Sequence, residues 1–352
     1  MDKKSDYIKL DPDRLDYESI GEAGRILREG GLVAFPTETV YGLGANALDA
    51  SAVAKIFTAK GRPSDNPLIV HISEVSQVYN LADDITIPAQ RLMEVFWPGP
   101  LTLILPKKPV IPQKVTAGLD NIAVRMPDNK IALEIIRAAG VPVAAPSANS
   151  SGRPSPTTAK HVLSDLEGKV DMIIDGGPCR VGLESTVLDL TSEPPTILRP
   201  GGISREQLEG VLGHVGVDPA VNHNSENLVP RSPGMKYTHY SPAADVVVVT
   251  GSEHFISDKV NQLIKEYRAK GKKVGLLVPE EASGLYQADA VYSVGTRREL
   301  DTVARNLFYG LRHLDSLSVD IIIAEGYPSG GMGDAVMNRL VKAAGYNLIT
   351  GN

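Results

Sequence analysis

The stretch LVAFPTETVYGLGANALDASAVAKIFTAKGRPSDNPLIVHI, residues 32–72, reads as strand, glycine-bearing loop, helix, turn and strand in succession. LVAFP (32–36) and PLIVHI (67–72) are short β-branched runs punctuated by proline, whereas SAVAKIFTAK (51–60) repeats its apolar residues at helical spacing. The same alternation continues outward. Further strands are expected at LTLILP (101–106), IAVRMP (122–127), VPVAAP (141–146), MIID (172–175), STVLDL (185–190) and TILRP (196–200). Helices are expected at 89–97, 131–140 and 158–166. Strands bounded by Gly and Pro and interleaved with helices predict an α/β domain with a mixed sheet over residues 1–210.

Residues 211–242 change character. VGVDPAVNHNSENLVPRSPGMKYTHYSP (215–242) is polar, rich in Pro and Asn, and follows neither period, so 211–242 reads as a linker whose second half closes over a site as a lid. From 243 to 352 a second β-α-β rhythm begins with DVVVVTG and ends on a helix around AVMNRLVKAAG, predicting a smaller parallel α/β domain. Two domains suit a chain of 352 residues.

Composition narrows the chemistry. A net charge of −6 gives no global case for a nucleic-acid or membrane surface. The single cysteine, Cys179, excludes a disulfide framework and any zinc site built from several thiolates. The start MDKKSDYIKL lacks an apolar leader core, and the longest apolar runs are strand-length, which points to a cytoplasmic protein.

Polar groups collect where strands end. In FPTETVYGLG (35–44), Thr37 and Thr39 can donate to a carboxylate or phosphate, and Gly42 and Gly44 would let backbone approach a ligand; a plain turn explains the stretch equally well. Lys60 and Arg62 stand at a helix end before Pro63, where they complement the helix dipole or face a polyphosphate. APSANSSGRPSPT (145–157) supplies Ser147, Asn149, Ser151 and Ser155 after a strand. GLESTVLDL (182–190) and ILRPGG (197–202) add Ser185, Thr186 and Arg199, and the linker adds Lys236, Tyr237, His239 and Tyr240. His71 closes the strand that follows the Lys60/Arg62 turn. No Walker loop occurs, GGMGD (330–334) falls short of the dinucleotide fingerprint, and no His or Glu spacing suggests a protein-held metal.

Taken in order, PTETVYGLG, K-x-R-P-x-x-N-P-L, WPGPLT, NIAVRMP, APSAN-x-SG, ESTV and LRPG resemble the YrdC-like domain of the threonylcarbamoyl-AMP synthases over residues 20–205, and PGMKY-x-HY-x-P heads the extra domain of the two-domain members. Seven separate motifs have to coincide for this likeness. It implies a YrdC-like mixed twisted sheet followed by a Rossmann-like parallel α/β domain. It further implies an enzyme, a nucleotidyltransferase that joins L-threonine, bicarbonate and ATP into threonylcarbamoyl-AMP and pyrophosphate, for a downstream transferase that modifies adenosine in tRNA.

By the same resemblance Lys60, Ser64, Thr116, Ser147, Ser155, Arg199 and Tyr237 bind ATP. Thr37, His71, Arg125 and Ser185 hold threonine, with Arg125 on its α-carboxylate. Lys60, Arg62 and Asn149 act on the phosphates or the carboxylated intermediate, and Mg2+ arrives on ATP rather than on protein ligands. Two other readings are an RNA-binding module, which the acidic total and the lack of a Lys/Arg run disfavour, and a carbamoyl transferase, whose larger relatives carry cysteine-rich zinc modules that one cysteine cannot build.

Overall fold

A computed structural model of the chain describes residues 4–221 and 240–351. The described residues divide into two compact units, one of 4–151, 155–180 and 184–221, the other of 152–154, 181–183 and 240–351. In the first unit the chain runs β1 (Asp6–Lys9), α1 (Tyr17–Arg28), β2 (Val33–Phe35), β3 (Gly42–Asn46), α2 (Ala50–Lys60), β4 (Ile69–His71), α3 (Ile87–Phe96), β5 (Leu101–Pro106) and α4 (Gln113–Thr116). It continues through β6 (Asn121–Arg125), α5 (Lys130–Ala139), β7 (Val143–Ala144), α6 (Ala159–Leu166), β8 (Met172–Asp175), β9 (Thr186–Asp189), β10 (Thr196–Arg199), α7 (Arg205–Leu212) and β11 (Gly216–Val217).

These strands form one mixed sheet in the order β1-β8-β2-β3-β7-β4-β6-β5-β9-β10-β11. Side chains alternate between its faces, so each strand serves two environments. One face carries Ala34, Val70, Leu103, Val124, Ile173 and Leu188, buried with α2, α3 and α6 residues such as Ile56, Leu92 and Val162. On the other face α1 and α5 cover β2, β7 and β8 through Leu27, Ile131 and Ile135 against Phe35, Val143 and Ile174. Further along that second face the buried cluster is Ile69, Ile104, Ala123, Val187 and Leu198, all strand residues with no helix among them. Here the sheet presents its own side chains to a site.

Helix ends follow local chemistry. Asp49 caps α2 by accepting from Ser51 N at 2.7 Å, and Gly61 ends it in the left-handed region at φ 63°. Lys60 is therefore the last helical residue, with the chain turning immediately after it. Gly44 answers to packing rather than to a ligand: a Cβ there would lie 2.7 Å from Phe35 Cε1 and 2.9 Å from Val143 Cγ1. The stretch expected to be a ligand loop is thus split, with 36–41 forming the loop and Gly42–Asn46 the strand β3. The sequence reading also passed over β1 and α1, whose amphipathic face is buried against α5.

The expected linker is structured at its start, where β11 pairs parallel with β10 and Val221 is buried. Residues 222–239 of that expectation, with the side chains Lys236, Tyr237 and His239, lie outside the described residues, whereas Tyr240, also expected in the lid, is buried with its ring centroid 5.1 Å from that of Phe308.

The second unit holds β12 (Asp245–Thr250), α8 (Glu253–Ala269), β13 (Val274–Val278), β14 (Ala290–Ser293), α9 (Leu300–Ser316), β15 (Ile321–Glu325), α10 (Met332–Ala343) and β16 (Leu348–Thr350). All its strand pairs are parallel, in the order β14-β13-β15-β12-β16. The run VVVV is continuous rather than alternating because Val246 to Val249 are all buried, as a parallel strand covered on both faces requires.

Candidate functional site

Four strands place polar residues beside that all-strand cluster. His71 lies two residues from Ile69, Arg125 two from Ala123, Thr102 two from Ile104, and Ser185 two before Val187, so all four share the face of that apolar cluster. His71 and Arg125 end the parallel neighbours β4 and β6 in direct register. Arg199 belongs by parity to the opposite face, but the register shifts between Ile197 and Arg199 and its guanidinium reaches Ser185. Nε donates to Ser185 O at 3.1 Å and Nη2 to Ser185 Oγ at 3.1 Å, while Ser185 Oγ lies 2.8 Å from Thr102 Oγ1.

The loop 36–41 meets this face. Thr37 Oγ1 donates to Val40 O at 2.6 Å and sits 2.8 Å from Thr39 Oγ1, while accepting from the amides of Thr39 and Val40. Arg125 reaches into the loop: Nη1 donates to Thr39 Oγ1 at 2.9 Å, Nε to Gly99 O at 3.2 Å, and Nη2 stands 2.6 Å from Glu38 Oε1. The Glu38 and Arg125 side chains are only 1% and 4% exposed. A buried ion pair normally requires further hydrogen bonds to offset its desolvation. Here both Glu38 oxygens, Arg125 Nη2 and His71 Nδ1 are buried without a hydrogen-bond partner of good geometry. Glu38 Oε1 and Arg125 Nη2 are the two ends of the ion pair, so the atoms left over are Glu38 Oε2 and His71 Nδ1, and two such buried polar atoms in one site, uncommon in folded proteins, suit a polar ligand.

Lys60 is buried, and its ammonium donates to Ser147 O, to Asn149 O at 2.7 Å and to Asn149 Oδ1 at 3.3 Å. Ser147 Oγ bonds Asn149 Oδ1 at 2.5 Å. The charge thus does more than complement the helix dipole: it organises the 147–149 loop. That loop pairs in turn with the first one, through Leu43 N to Pro146 O and Ala148 N to Tyr41 O, both at 2.8 Å. Ser155 Oγ bonds Glu184 Oε1 at 2.5 Å. Arg62 is half-buried and Ser64 exposed in the turn after α2. Thr116 is buried at the end of α4, beside the entry to β4 where Leu68 N donates to Val115 O at 2.8 Å.

The structure brings Thr37, Arg125, His71, Ser185, Arg199, Lys60, Ser147 and Asn149 into connected groups, with His71 the register partner of Arg125, the residue it was grouped with from the sequence. Sequence reasoning missed Glu38, Thr102 and Glu184. The signal for Glu38 was available, since it is the one carboxylate inside the PTETV run. Cys179, buried near Glu38, has its thiol pushed well up, first by burial and then by the Glu38 charge, and stays protonated.

His71 is pushed down to about 3, chiefly by burial and then by the Arg125 charge, so the folded ring is neutral. An unfolded histidine titrates near ~6.5. Folding must then expel a proton at lower pH, so this stabilisation is complete above ~6.5 and is lost progressively as pH falls toward 3. Replacing His71 by Gln should flatten the fall in stability between about pH 6 and pH 4 by roughly one proton, about 1.4 kcal/mol per pH unit. Denaturant titrations of both proteins across that range read the slopes, and parallel slopes would contradict a neutral buried ring.

Comparison with known proteins gives this geometry a context. A family model described as "Telomere recombination" matches residues 25–201, and one described as "Threonylcarbamoyl-AMP synthase, C-terminal domain" matches residues 203–345. The chain is 52% identical over 337 residues to a threonylcarbamoyl-AMP synthase of Pyrococcus abyssi, covering 96% of this chain and 97% of that protein. It is 53% identical over 331 residues to one of Bacillus subtilis, covering 94% of each. The crystal structure of P. abyssi Sua5 complexed with L-threonine superposes with a TM-score of 0.94 at 51% identity, over 98% of this chain and 99% of that one.

Proposed function

The chain belongs to the threonylcarbamoyl-AMP synthase family, and from that premise we propose how the polar sheet face and its two loops carry out the reaction. The activity is a nucleotidyl transfer that makes threonylcarbamoyl-AMP. L-Threonine, bicarbonate and ATP enter, and pyrophosphate leaves. The observation that carries the assignment of roles is the buried Glu38–Arg125 ion pair beside His71, with Glu38 Oε2 and His71 Nδ1 lacking a hydrogen bond.

Arg125 receives the threonine α-carboxylate, and Thr37, His71 and Ser185 complete the amino-acid site. The amine takes up carbon dioxide derived from bicarbonate, losing a proton to become an N-carboxylate. One oxygen of that carboxylate attacks the α-phosphorus of ATP, the bond from the α-phosphorus to the bridging oxygen breaks, and pyrophosphate departs with the electron pair. Catalysis of such a step needs positioning and charge stabilisation, with no enzyme nucleophile. Lys60, Ser64, Thr116, Ser147, Ser155, Arg199 and Tyr237 form the ATP site, in which Lys60 acts by fixing the 147–149 loop as well as by its charge. Arg62 and Asn149 orient the phosphates and the carboxylated intermediate.

Magnesium enters with the substrate, carried by ATP oxygens and water. No helix of the described residues is long and apolar enough to cross a membrane, and we place the reaction in the cytoplasm, with transient hand-over of the adenylate to a tRNA-modifying transferase.

Pyrophosphate release should require threonine and bicarbonate together. Serine, lacking one methyl group, should support it roughly 10–200-fold less well in kcat/KM. A coupled phosphate assay with each component omitted in turn tests this. Equal release without an amino acid, or with serine, would overturn the assignment.

A further inference from the structure

The buried pair at the end of β6 has a composition that the carboxylate-binding role alone leaves unexplained. Arg125 spends Nε on Gly99 O and Nη1 on Thr39 Oγ1, and keeps Nη2 as a donor without a well-formed hydrogen bond. Beside it, Glu38 Oε1 stands as its ion-pair partner at 2.6 Å, and Glu38 Oε2 is buried without a hydrogen bond. A site for a carboxylate alone would have no use for a buried anion next to its arginine, because that anion repels the ligand and competes for the cation. Adjacent groups of opposite charge, an arginine and a carboxylate whose Oε2 has no hydrogen bond, instead match a zwitterion, whose carboxylate and ammonium are separated by one carbon.

We propose that Glu38 is the receptor for the α-ammonium group of the amino-acid substrate, read side by side with reception of its carboxylate by Arg125. The assignment rests on the threonine site described above and adds the residue that selects an α-amino acid and holds the nitrogen to be carboxylated. Thr37 and Thr39 fix the carboxylate's place from either side in the chain, and the mutual hydrogen bond of their hydroxyls at 2.8 Å makes the loop a rigid support. Without ligand, the ion pair keeps the two charges from standing uncompensated in a buried site.

The test separates recognition of the ammonium from support of Arg125. Binding of L-threonine and of 2,3-dihydroxybutanoate, which has a hydroxyl in place of the ammonium, is measured calorimetrically on the full chain and on Glu38→Gln. L-Threonine should bind roughly 10–100-fold more weakly to the variant, the worth of one hydrogen bond to a charged group. The hydroxy acid should bind both proteins within about threefold, well under that change. If Glu38 only holds Arg125 in place, both ligands weaken equally, and that result overturns the proposal, as does an unchanged affinity for L-threonine. Should Glu38→Gln fail to fold, Glu38→Asp is run on the same ligand pair, and its shorter carboxylate should again weaken L-threonine selectively. Failure of the wild-type chain to bind L-threonine would remove the threonine site itself, and this assignment with it.

Discussion

Replacing Arg125 by Met should abolish measurable synthesis and destabilise the first unit at the same time. The guanidinium bonds Thr39 and Gly99 and stands against Glu38 in a place closed to water. Removing it strands a buried carboxylate, a change that typically costs about 3–5 kcal/mol. The same change removes the cation proposed for the threonine carboxylate, so kcat/KM for threonine should fall by a comparable energy, roughly 10²–10⁴-fold. The two losses are separable. Adding Glu38→Gln to Arg125→Met removes the stranded charge, so the double variant should regain much of its melting temperature while remaining inactive. A double variant with wild-type turnover would show that Arg125 is a packing element and that the carboxylate binds elsewhere.

The second large effect is expected at Lys60. A surface cation at a helix end is worth under about 1 kcal/mol, and on that basis its replacement would barely alter stability. The buried ammonium, however, is shared between the carbonyls of Ser147 and Asn149 and the Asn149 side chain. Lys60→Met should therefore cost about 2 kcal/mol, the worth of charge-assisted hydrogen bonds, and lower the melting temperature by roughly 4–8 °C. Pyrophosphate release should fall further than stability, because the 147–149 loop loses both its anchor and its charge, which puts several kcal/mol of electrostatic stabilisation at risk. Lys60→Arg should rescue neither, since a planar fork cannot replace a compact ammonium between convergent oxygens. Full activity in Lys60→Arg, with thermal stability unchanged in Lys60→Met, would return Lys60 to the status of a helix-end charge.

How much of this could be read beforehand depends on the range of the interaction. MIID was read at its full extent because its apolar run is bounded on both sides by turn residues, and α2 and α5 were placed closely because Asp49, Asn129, Gly61 and Gly140 cap them locally. β3 was misjudged, since GLGAN lacks strand formers; Gly44 fits there because Phe35 and Val143 crowd its position from neighbouring strands. Short β1 was passed over because it is an edge strand, stabilised by pairing with β8, far along the chain.

The sequence by itself determined the alternating elements, the two α/β units and the family motifs, because helix period, strand period, capping and turn chemistry act between residues a few positions apart. It also contained the site in disguise, as single polar residues at alternate positions of otherwise apolar strands, IVH, LTLI, NIAVR and STV. Only the tertiary structure decided that β4, β6, β5 and β9 lie side by side, that their polar residues share one face, that Lys60 holds the 147–149 loop, and that Glu38 meets Arg125. Those pairings depend on which distant segments are buried together. Burial is what converts a charge in a loop, ordinary in water, into one half of a specific ion pair.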